Sequence, residues 1–256
     1  MSQTAVLTPT LSLSERADQL EAQLMRTLDR VPTKSVLYTS GEKDPTAPMQ
    51  RPQPGQLMLM GEDPRLKPMP KKPTLMDFFE RRLSQGGVQH LLQSANLARK
   101  AGHPEKVVLA CLLHDIAVSG FIRSDHGYWG AQLVEPYVDE EVSWAIRAHQ
   151  ALRFYPDEEA GYAYPEMYIR YFGEDYKPEP YIQQAYETAR KHKWYGTARL
   201  ICVNDLYAFD PNVTVKLEDF TDIIGRNFKQ PEEGLGFDGS PVAHMWRTMI
   251  MPTRFL

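Results

Sequence analysis

Between residues 88 and 205 this chain repeatedly sets a histidine or an aspartate on the otherwise apolar face of a helix. That placement constrains the fold more than any bulk property. His90 sits among Val88, Leu91 and Ala95, and His114 with Asp115 closes the seven-residue apolar run 107–113. His149 ends a stripe of Val142, Ala145 and Ile146, and Asp205 follows Ala198, Ile201 and Cys202 at helical spacing. A buried polar group without a partner costs roughly 1–3 kcal/mol, and a bare buried carboxylate more. Each such group needs a partner, either a hydrogen-bonding neighbour in the core or an ion shared with the others, and the occurrence of several together points to the latter.

The surrounding pattern is helical. From Thr74 onward, segments of helical periodicity alternate with short breaks, without convincing strand alternation and without internal repeats. Thr74 with Asp77 signals one helix start. Residues 88–101 form a second helix ended by Gly102, Pro104 opens a third running to about Ile116, and Asp139 caps a later one. The expected fold class is therefore all-α. Upstream, Ser12 and Glu15 make a capping box for an amphipathic helix that ends at Pro32. Residues 32–73 carry nine of the 20 prolines and read as a long irregular arm, whose Leu57, Met58, Leu59 and Met60 suit wrapping against a body. The organisation predicted is an N-terminal helix and Pro-rich arm over 1–73, a helical body over 74–228 and a C-terminal extension over 229–256.

Composition excludes several classes. A chain of 256 residues with 42% hydrophobic content buries one sizeable core, and its net charge of −4 gives no general pull toward nucleic acid. The seven-residue apolar run is far shorter than the roughly 20 residues of a membrane span. The first 14 residues carry no basic leader pattern, which predicts a cytoplasmic protein. Cys111 and Cys202 lie in apolar stretches and are expected as buried, unreactive thiols.

His90, His114, Asp115, His126, His149 and Asp205 together supply four imidazoles and two carboxylates, enough to enclose one or two first-row metals. Mid-helix neighbours diverge by about 100°, but the adjacent pair His114 and Asp115, at the end of a helix, can turn toward one point. Here the chain resembles the HD-domain superfamily, whose order of H, then HD, then D is matched by His90, His114 with Asp115, and Asp205. The resemblance extends from about residue 75 to 228 and implies an all-α HD-domain helical bundle. The extra His126 and His149 resemble a two-metal subgroup. On that resemblance His90, His114, Asp115 and Asp205 ligate one metal, while His126, His149 and a bridging Asp115 ligate the second. The intervals of 24, 23 and 56 residues, from His90 to His114, His126 to His149 and His149 to Asp205, look especially like the phosphonate-cleaving HD-domain oxygenases. The stretch 204–208 also looks like the corresponding segment of inositol oxygenases.

Two chemistries follow from this resemblance. The first is oxidation of a small polar organic substrate by O₂ at a mixed-valent Fe(II)/Fe(III) pair, with C–C or C–P cleavage as one form. The alternative is a phosphohydrolase, in which two divalent ions activate a water toward a nucleotide or phosphate ester. Imidazole and carboxylate donors also accept manganese, nickel and zinc. The oxygenase is favoured by the spacing and by a pocket region poor in cations. There Phe154, Tyr155, Tyr162, Tyr164, Tyr168 and Tyr171 form a candidate aromatic wall, and Arg153, one helical turn after His149, is the candidate anion binder. Two departures limit the likeness: Val118 stands where the relatives carry a lysine or histidine. The tyrosine and glutamate that precede their first ligand are not reproduced in 78–83, where Glu80 is a partial substitute. The expected partners are thus a small-molecule substrate and O₂, with neither nucleic acid nor membrane. The arm and tail would close over the substrate or build a homodimer contact. A third reading, a non-catalytic HD scaffold, is disfavoured by the complete donor set.

Overall fold

The computed structural model describes residues 66–252. The N-terminal capping box and helix, the arm as far as residue 65 with its leucine and methionine cluster, and residues 253–256 lie outside the described residues. Within them the chain forms eleven α-helices: α1 Leu75–Arg81, α2 Gln85–Lys100, α3 Glu105–Leu113, α4 Ile116–Gly120, α5 His126–Val134, α6 Glu140–Leu152, α7 Glu166–Phe172, α8 Pro180–Ala189, α9 Tyr195–Leu206, α10 Thr221–Asn227 and α11 Ala243–Ile250. Two 3₁₀ turns, Glu135–Tyr137 and Leu217–Phe220, complete the order. Among the described residues the sole extended pairing is one isolated antiparallel bridge between Asp157 and Tyr162, so the body is all-α.

Local chemistry sets the helix ends. At α1, Thr74 Oγ1 accepts from Asp77 N and Asp77 Oδ2 accepts from Thr74 N at 2.9 Å, a reciprocal cap that satisfies two orphan donors. α2 closes on Gly102, whose φ of +74° is the left-handed value favoured by glycine. His103 N donates to Ala98 O and Gly102 N to Arg99 O, which completes a Schellman turn. Asp139 Oδ1 accepts from Glu141 N at 3.0 Å and starts α6. The start of α2 at Gln85, three residues before the apolar periodicity, follows from Gly86 and Gly87: neither supplies an apolar signal, yet both are helical.

The third helix ends earlier than its periodicity suggests. α3 stops at Leu113, and Asp115 leaves the helical region at φ −106°, ψ 22° before α4 begins. The break falls at the His114–Asp115 pair. Residues 107–113 are all buried, because α3 lies between α2, α6 and α10. α6 is the central element, packed on α3, α5, α8 and α9.

α5 approaches α6 closely because two of its residues are glycine. A Cβ on Gly127 would stand 3.0 Å from Arg147 O and 3.1 Å from Ile146 O, and one on Gly130 would stand 3.3 Å from His114 O. Residues 235–250 share the same core. Trp246 is fully buried, donates Nε1–H to Leu133 O at 3.1 Å and meets Phe78 edge-on at 4.7 Å between centroids. No helix among the described residues is long and apolar enough to cross a membrane.

Candidate metal centre

Five helices deliver six side chains to one place. α2 brings His90, the α3–α4 break brings His114 and Asp115, α5 begins with His126, the last turn of α6 carries His149, and α9 carries Asp205. Asp115 divides its two oxygens between two groups. Its Oδ2 lies 3.7 Å from His90 Nε2 and 3.8 Å from His114 Nε2, and its Oδ1 lies 3.4 Å from His126 Nε2 and 3.6 Å from His149 Nε2. Asp205 Oδ1 joins the first group, 3.1 Å from His90 Nε2 and 3.6 Å from His114 Nε2. His90, His114, Asp205 and, separately, His114, Asp115, His149 each present donor atoms within 4.8 Å of one another.

Proton accounting shows what these atoms lack. Every Nδ1 faces a backbone carbonyl: His90 that of Ala208, His114 that of Cys111, His126 that of Arg123 and His149 that of Ile146, at 2.5 to 3.3 Å. A carbonyl only accepts, so each Nδ1 carries the hydrogen, and in its neutral form each ring turns a bare Nε2 lone pair inward. His90 Nε2 and His114 Nε2 then face each other at 3.2 Å with no hydrogen between them. The 3.1 Å approach of His90 Nε2 to Asp205 Oδ1 is, for the same neutral ring, one acceptor against another. His126 Nε2, His149 Nε2, Asp115 Oδ1 and Asp205 Oδ1 are buried without a hydrogen-bond partner. Convergent lone pairs and carboxylate oxygens in a desolvated site fit a cation far better than they fit one another. Carbonyl-bound Nδ1 is also how metal-ligating imidazoles are commonly oriented.

The electrostatics favour ionised carboxylates at Asp115 and Asp205 and neutral rings at His126 and His149, with His114 shifted the other way. Burial opposes ionisation of both carboxyls, yet His114, His126, His149 and Arg153 around Asp115, and Arg153, His114 and His90 around Asp205, hold them well below the usual carboxylate range. Burial pushes His126 down to about 4 and lowers His149, so both stay neutral donors. Burial works the same way on His114 but is outweighed by Asp115 and Asp205, which raise it.

Arg153 caps the C-terminus of α6 and places Nε 3.3 Å from Asp205 Oδ2, the oxygen turned away from the histidines. Its guanidinium lies over the Tyr168 ring at 5.3 Å. Phe154 and Tyr164 surround Tyr168 at 5.7 and 5.8 Å, and Phe172 joins at 5.8 Å. Of the other aromatic residues nominated from sequence, Tyr155 stacks on Tyr186 at 3.7 Å, Tyr162 lies under Arg199 and donates its hydroxyl to Arg153 O at 2.8 Å, and exposed Tyr171 meets the edge of Phe172 at 6.5 Å. Both cysteines are free and buried, which pushes each thiol up to about 12. His192 stacks on Trp144, and exposed His244 meets Arg247.

Several side chains that support the site carry no sequence signal. Phe209 stacks on the His90 ring at 4.2 Å and 14°, and Gln89 and Gln93 fasten the segment after α9. Arg199, almost wholly buried, donates to Leu152 O and Tyr155 O at 2.9 Å and lies 3.5 Å from Asp157, bracing the chain on either side of Arg153.

The family model described as HD domain matches residues 87–196. The match contains His90, His114, Asp115, His126 and His149. Asp205 falls just beyond it and reaches the cluster through α9. No curated protein matches the chain. The segment 87–196 is thus similar to the HD domain, a family of generally metal-dependent enzymes with hydrolase and related activities, and the chain's His90, His114, Asp115, His149 and Asp205 form groups able to hold a metal.

Proposed function

We propose that the cluster is a dinuclear metal centre of an O₂-dependent oxidase or oxygenase acting on a small polar organic molecule. His90, His114, Asp115 and Asp205 would hold one ion, and His126, His149 and Asp115 the second. The observation that supports the two-ion arrangement is the split of Asp115, one oxygen toward each histidine pair, with the four Nε2 atoms directed between them. An iron pair able to pass between Fe(II) and Fe(III) supplies the one-electron chemistry that O₂ requires. The protein supplies position and shelter.

Arg153 is the residue proposed to fix the substrate. Its Nε is committed to Asp205 Oδ2, which leaves the remaining guanidinium donors for a carboxylate or phosphonate oxygen. The Tyr168 ring beneath it keeps the group in one plane and limits water. The chain is read as working with a small-molecule substrate and O₂, in the cytoplasm, without nucleic acid or membrane. The arm and tail are read as available for a homodimer contact.

A second reading is favoured by the family match itself: a metal-dependent HD-domain phosphohydrolase, with Mn, Ni or Zn in the same sites, acting on a nucleotide or phosphate ester. The two separate in one assay. Iron-loaded protein with a panel of hydroxylated carboxylates and phosphonates is expected to consume O₂ in proportion to product. Phosphate release under strict anaerobiosis, with no O₂ uptake on any substrate, would favour the hydrolase.

A further inference from the structure

His90 is held differently from the other three histidines. His114, His126 and His149 each rest Nδ1 on a carbonyl three residues earlier, so their own local backbone orients the ring. His90 Nδ1 instead donates to Ala208 O at 3.0 Å, 118 residues away, and the Phe209 ring covers the same imidazole. Ala208 and Phe209 lie past the end of α9, where no helix fixes them. The fastening comes from α2 itself. Gln93, one turn beyond His90, donates Nε2–H to Asp210 O at 2.8 Å and Val213 O at 2.7 Å, and its Oε1 accepts from Asp210 N at 2.9 Å. Gln89 pairs with Val215 in the same two-way manner, at 3.1 and 3.2 Å. Gln93 is buried, with 6% of its surface exposed.

Resting on the dinuclear reading above, we propose that Gln93 is a positioning residue for the ion assigned to His90, His114 and Asp205: it holds the 208–213 segment whose carbonyl and ring fix the His90 imidazole. It touches none of the six donors and acts through Ala208 and Phe209. The ion assigned to His126 and His149 is independent of it. Partners beyond the ligand shell typically contribute about 10- to 100-fold in metal affinity. Asp210 and Val213 are exposed, so the carbonyls released by removing the amide are rehydrated and the fold persists.

The test uses the full chain with Mn(II) alone as probe, followed by equilibrium dialysis. Gln93→Leu is placed in a His149→Ala background, which keeps only the first site, and in a His90→Ala background, which keeps only the second. The expected result is an increase of about 10- to 100-fold in Kd in the first background and no change in the second. Unchanged Kd in the first background, or equal weakening in both, overturns the proposal and leaves the dinuclear reading standing. Failure of the parent protein to bind Mn(II), or equal binding by parent and both histidine variants, refutes the dinuclear reading itself. Gln93→Glu keeps the bond from Asp210 N–H and the side-chain volume, and is measured in the same backgrounds. The same split supports the proposal, and its absence refutes it. Metal-free melting temperatures report the fold separately from metal affinity.

Discussion

Gly127→Ala tests whether the approach of α5 to α6 positions His126. The new methyl would stand 3.0 Å from Arg147 O, 3.1 Å from Ile146 O and 3.1 Å from Gln150 Cβ, and two of these neighbours are backbone. Overpacking of this kind costs about 1–3 kcal/mol, while replacing a helical glycine recovers up to about 1 kcal/mol of propensity. The balance is a net loss of up to about 2 kcal/mol, or up to roughly 8 °C in melting temperature for a chain of this size. His126, adjacent to the clash, is carried away from Asp115 Oδ1, so the second ion weakens more than the first. Gly86→Ala is the control: it occupies the same second position of its helix, with nothing within 4 Å, and is expected to melt at or above the parent temperature. Differential scanning calorimetry of metal-free protein and Mn(II) titration of both variants make the comparison. If Gly127→Ala melts with Gly86→Ala and binds both ions normally, α5 does not position His126 in this way.

Three further outcomes follow from the same geometry. Asp115→Ala removes the oxygens facing both histidine pairs and is expected to lower metal content at both sites, whereas His126→Ala or His149→Ala lowers mainly one; elemental analysis after dialysis distinguishes them. In metal-free protein, His126 has a folded pKa of about 4 against about 6.5 unfolded, so the unfolded chain binds more protons across that window. The contribution of His126 to stability is therefore complete above about pH 6.5 and declines as pH falls toward about 4, and His126→Gln should flatten that part of the slope in thermal melts. Arg199→Met removes the buried guanidinium that ties Leu152 O, Tyr155 O and the Tyr195 hydroxyl together beside Asp157. It is expected to cost on the order of 3 kcal/mol in urea unfolding, and a loss near zero would contradict the bracing role of Arg199.

What was legible in the sequence was the set of groups that could not stay buried alone. His90, His149 and Asp205 each interrupt an apolar stripe, and a stripe reveals both the helix and the misfit. His126 had no such stripe, because it is the first residue of α5 and follows Asp125 in a left-handed conformation, φ 48°, that no periodicity announces. The end of α3 escapes the periodicity for a related reason. Ile116 and Ala117 continue the apolar character of 107–113, but belong to a new helix after the turn at Asp115. Gln93 and Phe209 were invisible, since their significance lies in contacts made across more than 100 residues of chain. Arg153 was legible as sharing a face with His149, but its commitment to Asp205 required the placement of α9.

The central claim is best tested by low-temperature electron paramagnetic resonance on iron-loaded protein, reduced partway, with iron determined on the same sample. The expected result is two irons per chain and a coupled Fe(II)/Fe(III) signal that shifts when a binding substrate is added and is lost in Asp115→Ala. A single redox-silent metal, or two irons that never give a coupled signal, would contradict the account and turn attention to phosphate-ester hydrolysis.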